Sequence, residues 1–338
     1  MSTKQRALPS ELGIVWTQFR ARRINIVATV AIFGVLVVAL LADFIAAERP
    51  ILLKFHGHLY WFPNLFAPAE LRIYNHQLLR AALRPSDWAL VPLVPWGYNT
   101  HDLARVLAPP SAAHWLGTDG SGRDVLARIV HGTRVSLSVG AMSVIVLVIV
   151  GVAFGTVAGY FGRAIDTLLM RIVEIVHSIP TILLLVTVLA VIAPQGYAAV
   201  WTMTLVIGLV RWTDVARLVR GEILRVKALD YVQAARAQGA SDARIIFKHV
   251  LPNASNPVLV SATFALAASI LIEGALSFLG FGIPDDMASW GGMLNEVRGN
   301  VQAWWLALFP GAAVFLTVTA FNVIGEGVRD ATDPRLRR

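Results

Sequence analysis

The chain has no cysteine, and only 15% of its 338 residues are charged, against 56% hydrophobic. The first absence removes a disulfide framework, a thiolate metal site and a cysteine nucleophile. The second leaves too little polarity for a surface wetted on every side, and points to a chain that uses lipid as its solvent. No Gly-Lys dipeptide occurs, so the P-loop phosphate cradle is missing and ATP hydrolysis by this chain is not expected. A G-x-S-x-G elbow, an H-E-x-x-H zinc pair and a dinucleotide fingerprint in its strand-to-helix setting are absent too. His56-Gly57-His58 offers two imidazoles, but no carboxylate or thiol stands at ligand spacing, so solvated or interfacial histidines are the expected reading. The expectation is a chain with no catalytic residues, no metal and no cofactor. A net charge of +8 suits basic residues gathered in the cytoplasmic loops of a membrane protein better than a nucleic-acid surface.

Long apolar runs are abundant instead. Six, near residues 24 to 44, 135 to 161, 175 to 193, 198 to 212, 257 to 280 and 304 to 324, read as spans of a hydrocarbon core that takes about 20 helical residues to cross. The pattern predicts an all-α polytopic membrane protein with about six transmembrane helices. Ala193-Pro194-Gln195-Gly196 reverses the chain between the third and fourth. The first run follows Lys4, Arg6, Arg20, Arg22 and Arg23, exceeds a signal-peptide core in length and lacks a small-residue cleavage site, so it reads as a retained anchor. Basic residues crowd the second connection (Arg163, Arg171) and the fourth (Arg211 to Lys248), and the tail ends in Arg335, Arg337 and Arg338. The positive-inside rule then predicts both termini in the cytoplasm, with residues 45 to 134 outside, because long loops translocate largely regardless of charge. Trp61, Trp88, Trp96 and Trp115 are expected to build a small packed cap in that insert. The predicted division is a cytoplasmic segment 1–23, a first helix 24–44, the insert 45–134, a core 135–324 and a cytoplasmic tail 325–338.

Small residues recur every four positions at Gly132, Ser136 and Gly140, then at Gly151, Gly155 and Gly159, which predicts close helix packing. Glu273 lies in an apolar run, where a carboxylate costs several kcal/mol at mid-membrane; it either faces a pathway or bridges helices. Asp166, Glu174 and Asp214 sit beside basic residues at helix ends, where pairing is cheap. Asp230 with Gln233 makes a capping-box-like start to a short helix, and Gly239 a left-handed stop. Ser241 then caps a second helix, expected to end before Pro252. The product is helix, glycine bend, helix: a protrusion suited to another protein's cleft, or an amphipathic loop on the membrane surface.

This segment resembles the "EAA" loop of ABC importer permeases: E-A-A, three residues, G, nine residues, then an apolar position two before L-P. Gln233-Ala234-Ala235, Gly239 and Leu251-Pro252 stand at that spacing, with Gln233 replacing Glu and His249 at the apolar position. His114-Trp115-Leu116-Gly117-Thr118-Asp119 with Gly122-Arg123-Asp124 is similar to the H-x-L-G-T-D-x-x-G-R-D sequence of dipeptide and oligopeptide permeases of the DppC and OppC type. The run from Glu273 to Gly282, and Gly325 to Asp330 with Asp333-Pro334-Arg335, are similar to later signatures of that branch. Residues 49 to 58 resemble the corresponding region of YejE-type subunits. The resemblance implies a type I permease in the bacterial inner membrane that moves dipeptides, oligopeptides or peptide antibiotics inward. Implied partners are a second homologous permease, two ATPase subunits that hold the ATP and an extracytoplasmic peptide-binding protein. It also implies that residues 230 to 252 couple to an ATPase, with Asp230, Tyr231, Gln233, Ala234, Ala235, Gly239, His249, Leu251 and Pro252 as the contact set. A related solute such as a nickel chelate stays open as cargo, and an ion-gradient-driven carrier as the rival mechanism, although inverted repeats and mid-membrane charge are not evident.

Overall fold

A computed structural model describes residues 11–332 apart from Arg72, Asn75 and Pro194. Lys4, Arg6, the proline of the third connector and the tail motif from Asp333 onward lie outside the described residues. The chain opens with α1 (Glu11–Ala21), α2 (Arg23–Leu40) and the single turn α3 (Ala42–Ile45). A three-stranded antiparallel sheet follows in the order β2-β1-β3, from β1 (Leu52–Phe55), β2 (His58–Trp61) and β3 (Trp88–Leu90), with α4 (Pro63–Phe66) and α5 (His76–Ala82) between the last two. Then come α6 (Val125–Phe161), α7 (Arg163–Ser178), α8 (Thr181–Ile192), α9 (Tyr197–Lys227) and α10 (Asp230–Ala237). The chain ends with α11 (Asp242–Phe278), α12 (Trp290–Glu296) and α13 (Trp304–Thr332).

Among the described residues five helices, α2, α6, α9, α11 and α13, are long and apolar enough to cross a membrane. The expected third span is not one helix. α7 and α8 meet at 84°, because Pro180 cannot continue α7 and holds Ile179 in extended geometry. α8 has 12 residues, about 18 Å, too short to cross alone. Three spans outrun their apolar cores, since α6 begins ten residues before the expected 135, α9 runs on to Lys227, and α11 starts at Asp242 rather than near 257, whereas α2 ends at Leu40, short of the expected 44. Hydropathy marks the lipid-facing part of each rod, while backbone hydrogen bonding carries the rod on into water.

α6 is the axis, at 37 residues and about 55 Å. Asp124 caps its start, its carboxylate accepting from the Ala127 N–H at 2.7 Å. The small-residue stripe faces three partners in succession, with Gly132 against Ser289 and Trp290 at the start of α12. Gly140 meets Ile270 of α11, whereas Gly151, Gly155 and Gly159 meet α9, so closely that a Cβ on Gly155 would lie 2.5 Å from the Ala216 carbonyl oxygen. Close backbone approach there replaces the hydrophobic drive that lipid cannot supply. Leu147, Val215, Val219 and Ile223 fill the seam, and α13 packs against α2 and α11.

The sheet in the insert is a departure from the all-helical expectation. His56 (φ 51°) and Gly57 (φ 84°) are the two left-handed residues of a tight turn between β1 and β2, which gives the His56-Gly57-His58 run its place at a hairpin tip. The aromatic cap is also corrected. Trp96 is buried, but Trp61, Trp88 and Trp115 are exposed, and Leu53, Phe55, Leu71 and Leu79 form the small core instead. Leu53 and Phe55 share one strand face at period two, and that face alone is covered by α5.

Candidate functional site

Two polar constellations sit at opposite ends of α6. At its first residues, Asp119 accepts from the backbone N–H groups of Ser121 (2.8 Å) and Arg123 (2.9 Å) and from Arg123 Nε (2.7 Å). Arg123 Nη1 donates to the Asp285 carbonyl (2.9 Å) and Nη2 to Glu296 (2.9 Å). Arg128, 1% exposed, lies 3.5 Å from Asp119 and 3.6 Å from Glu296. Two acids and two guanidinium groups thus neutralise one another in a closed space, clamping the segment before α6 to the connection between α11 and α13. Burial, with Asp119 beside it, pushes the Glu296 carboxyl above the ordinary carboxylate range in spite of both arginines. Alongside, the buried His114 ring bridges Asp124 (2.8 Å) and Asp102 (3.4 Å), and burial raises the Asp124 carboxyl. The His114 to Asp124 run is therefore a folded latch whose glycines allow it to turn: Gly117 and Gly122 both take positive φ.

Deeper along α6, Glu273 is 1% exposed. One carboxylate oxygen accepts from Ser136 Oγ (3.0 Å) and the other from Ser277 Oγ (2.9 Å). The side chain expected either in a pathway or between helices is thus held between α6 and α11.

The opposite end of α6 carries the bent pair. α10 starts differently from the expected capping box. Leu229, not Asp230, is the cap and makes no side-chain bond; Asp230 is the first helical residue. Gln233 instead donates through Nε2 to the Lys227 carbonyl (2.7 Å), tying α10 to the end of α9. Gly239 does end α10 in left-handed geometry (φ 78°). Its N–H donates to the Arg236 carbonyl and that of Ala240 to the Ala235 carbonyl, the paired bonds of a Schellman stop. Ser241 caps the next helix through the Arg244 N–H, as expected.

Pro252 does not stop that helix. Residues Ile245–Val250 take a wider π turn, and the chain continues through Pro252 into α11. A widened turn lets a helix absorb the ring and the missing donor. The carbonyl of His249, three residues before the proline, accepts from Asn253 Nδ2 (2.7 Å) and Tyr231 Oη (3.4 Å). Tyr231 and His249, two residues of the expected contact set, therefore meet at one carbonyl, joined there by Asn253.

The pair is fastened to α6 by residues that the sequence reading passed over. Tyr160 Oη donates to Asp242 (2.5 Å) and accepts from Arg236 Nη2 (3.2 Å), whose guanidinium also lies 5.6 Å from the Tyr160 ring centre. Lys227 Nζ donates to the last-turn carbonyl of Gly159 (2.6 Å). No spacing rule links Tyr160 to Asp242 across 82 positions, so only the fold reveals the joint. Val232 is buried and Ala235 half-buried toward the bundle, while Ala234 and Gly239 face outward. The large apolar side chains left open on this segment are Leu229, 39% exposed, Tyr231, 41% exposed, and Phe247, 72% exposed. Exposed aromatic side chains on a polar end of a membrane protein are a protein-contact signature.

Residues 151–338 match the family model described as binding-protein-dependent transport system inner membrane component. The chain is 41% identical over 277 residues to the dipeptide transport system permease protein DppC of Bacillus subtilis, covering 81% of this chain and 83% of the relative. It is 42% identical over 240 residues to the glutathione transport system permease protein GsiD of Pectobacterium atrosepticum, covering 71% and 78%. To the oligopeptide transport system permease protein OppC of Bacillus subtilis it is 37% identical over 244 residues, covering 72% and 80%.

Proposed function

The chain belongs to the family of binding-protein-dependent transport system inner membrane components, and on that premise we propose that it is a peptide-importing permease subunit whose 230 to 252 knuckle docks on a separate ATPase. The observation that carries the reading is the bent pair itself. It projects from the end of α6 remote from the insert, shows Tyr231 and Phe247 to solvent, and runs without a break into the apolar part of α11. The knuckle and both termini are cytoplasmic, and the insert faces outward.

The working assembly has a second homologous permease, two ATPase subunits that hold the ATP, and an extracytoplasmic binding protein that delivers the peptide. This chain holds no nucleotide and does no bond chemistry. Nucleotide-driven closure of the ATPases displaces α10 and the Gly239 bend. The Tyr160, Arg236 and Asp242 cluster transmits that displacement to α6, and the continuous backbone transmits it to α11. Opening of the pathway on the insert side admits the peptide, and hydrolysis resets it. Glu273 serves as an interhelical tie within the moving bundle rather than as a peptide ligand.

The assembly reconstituted in vesicles tests this. Uptake of intact peptide requires ATP and the binding protein, and ignores proton and sodium gradients. Uptake sustained by an ion gradient without ATP overturns the reading. Mass spectrometry of solute retained by the binding protein is expected to find peptide; a nickel chelate there would reassign the cargo but leave the coupling intact.

A further inference from the structure

The sheet in the insert is finished on one side only. Its inner face is covered through Leu53 and Phe55, but on the other face the register sets Leu59 and Trp88 across from Lys54, and Trp61 and Leu90 across from Leu52. Leu59, Trp61, Trp88 and Leu90 are all exposed. A row of large apolar side chains on edge strands is an aggregation hazard unless something covers it.

The height of that face along α6 says what covers it. Arg134 Nε donates to the Ala39 carbonyl (2.9 Å) and Nη1 to Asp43 (3.0 Å), which fixes the end of α2 at the level where the apolar stretch of α6 begins. The Asp43 carbonyl in turn accepts from Asn64 Nδ2 (2.8 Å), and Phe44 meets Phe62 edge-on at 5.9 Å. This holds α4 beside α3. The sheet is tied to the same level, since Val94 pairs with Ile45 and Ala47, and Ile51 N–H donates to the Leu90 carbonyl (2.7 Å). The lipid-facing flank of α2 ends in Leu40 (77% exposed), and past the Asp43–Arg134 pair the exposed apolar residues resume with Phe66 (74% exposed) of α4 and Trp61. Aromatic residues at that depth form the interfacial belt of membrane proteins, and a lysine amid them can reach lipid phosphate while its stem stays on the apolar face.

We propose that α4 and the outer face of the sheet rest on the bilayer leaflet at the insert's end of the bundle, so that the insert is a membrane-surface element rather than a free cap. The inference stands independently of cargo and coupling.

The absence of cysteine makes the test direct, because a single thiol introduced into this chain, labelled before its partners are added, carries the only nitroxide. F66C, L90C and, as a control, L103C would be labelled in the full assembly in nanodiscs of phosphatidylethanolamine and phosphatidylglycerol. Leu103 is 78% exposed and follows Asp102, whose N–H donates to the carbonyl of Gly122 in the segment before α6, while the first residue of α6 stands about 14 Å along the helix from Arg134. The expected result is a collision balance shifted toward oxygen over aqueous chromium oxalate at positions 66 and 90, and the reverse at 103. Retained peptide uptake by the same labelled assembly in vesicles certifies that each labelled chain is folded, and should L90C distort the sheet, F66C alone decides. Chromium oxalate dominating at 66 overturns the proposal in favour of open water, and exclusion of both relaxers there overturns it in favour of a protein partner.

Discussion

The two ends of α6 are built on opposite plans. At the insert end Asp119, Arg123, Arg128 and Glu296 are buried and mutually paired. Breaking such a set strands a charge away from water. At the other end the fastening is a few partly exposed polar contacts around Tyr160 and Lys227, and the large apolar groups face out. The first arrangement resists change and the second invites a visitor. A transporter subunit needs both, because a displacement imposed at one end does work only if the far end of the strut keeps its shape.

Substitutions can break this contrast in graded steps. Arg123→Ala leaves Asp119 and Glu296 buried beside a lone Arg128, at a cost of about 3–5 kcal/mol; a fall in the thermal midpoint and yield of the detergent-solubilised subunit measures it. Gly239→Pro asks a ring fixed near φ −65° to hold φ 78° and removes the N–H that serves the Arg236 carbonyl, costing about 3 kcal/mol locally. Since the bend is exposed, the chain should insert and accumulate normally while ATP-driven peptide uptake disappears. Phe247→Ser is expected to leave subunit stability within about 0.5 kcal/mol yet weaken ATPase association by about 2 kcal/mol, read as roughly a 30-fold higher Kd in titration. If ATPase binding is unchanged, the exposed aromatic pair is not the docking surface. Gln233→Glu, the smallest change, swaps the donor facing the Lys227 carbonyl for an acceptor; about 1 kcal/mol should be lost in thermal unfolding, with uptake retained.

Much of the bundle was legible because lipid imposes a simple rule, a long apolar run for each crossing. The glycine bend was legible too, since Gly239 stands where a left-handed stop is needed. What escaped did so for identifiable reasons. The break at Pro180 was in plain view, but the apolar composition of 175 to 193 masked it. The rule that a helix stops before proline failed at Pro252, where a π turn and the Asn253 and Tyr231 side chains take up the disturbed backbone. The strands of the insert are only three or four residues long, too short for alternation to register against background. The Arg123 to Glu296 pair spans 173 positions, and no local pattern announces such a partner; a charged motif flanked by glycines ahead of a long helix was the available hint.

The unbroken passage from Ser241 into α11 has a mechanical meaning. The knuckle is no pushrod acting through a hinge, but the protruding butt of a rod about 55 Å long that reaches across the bundle. Its stiffness is uneven: the wide turn at Ile245–Val250 and the ring of Pro257 form a compliant neck just inside the exposed end. Such a rod converts a small sideways nudge into tilt of everything beyond the neck, and the neck's softness sets how much of the stroke is spent before the far end stirs.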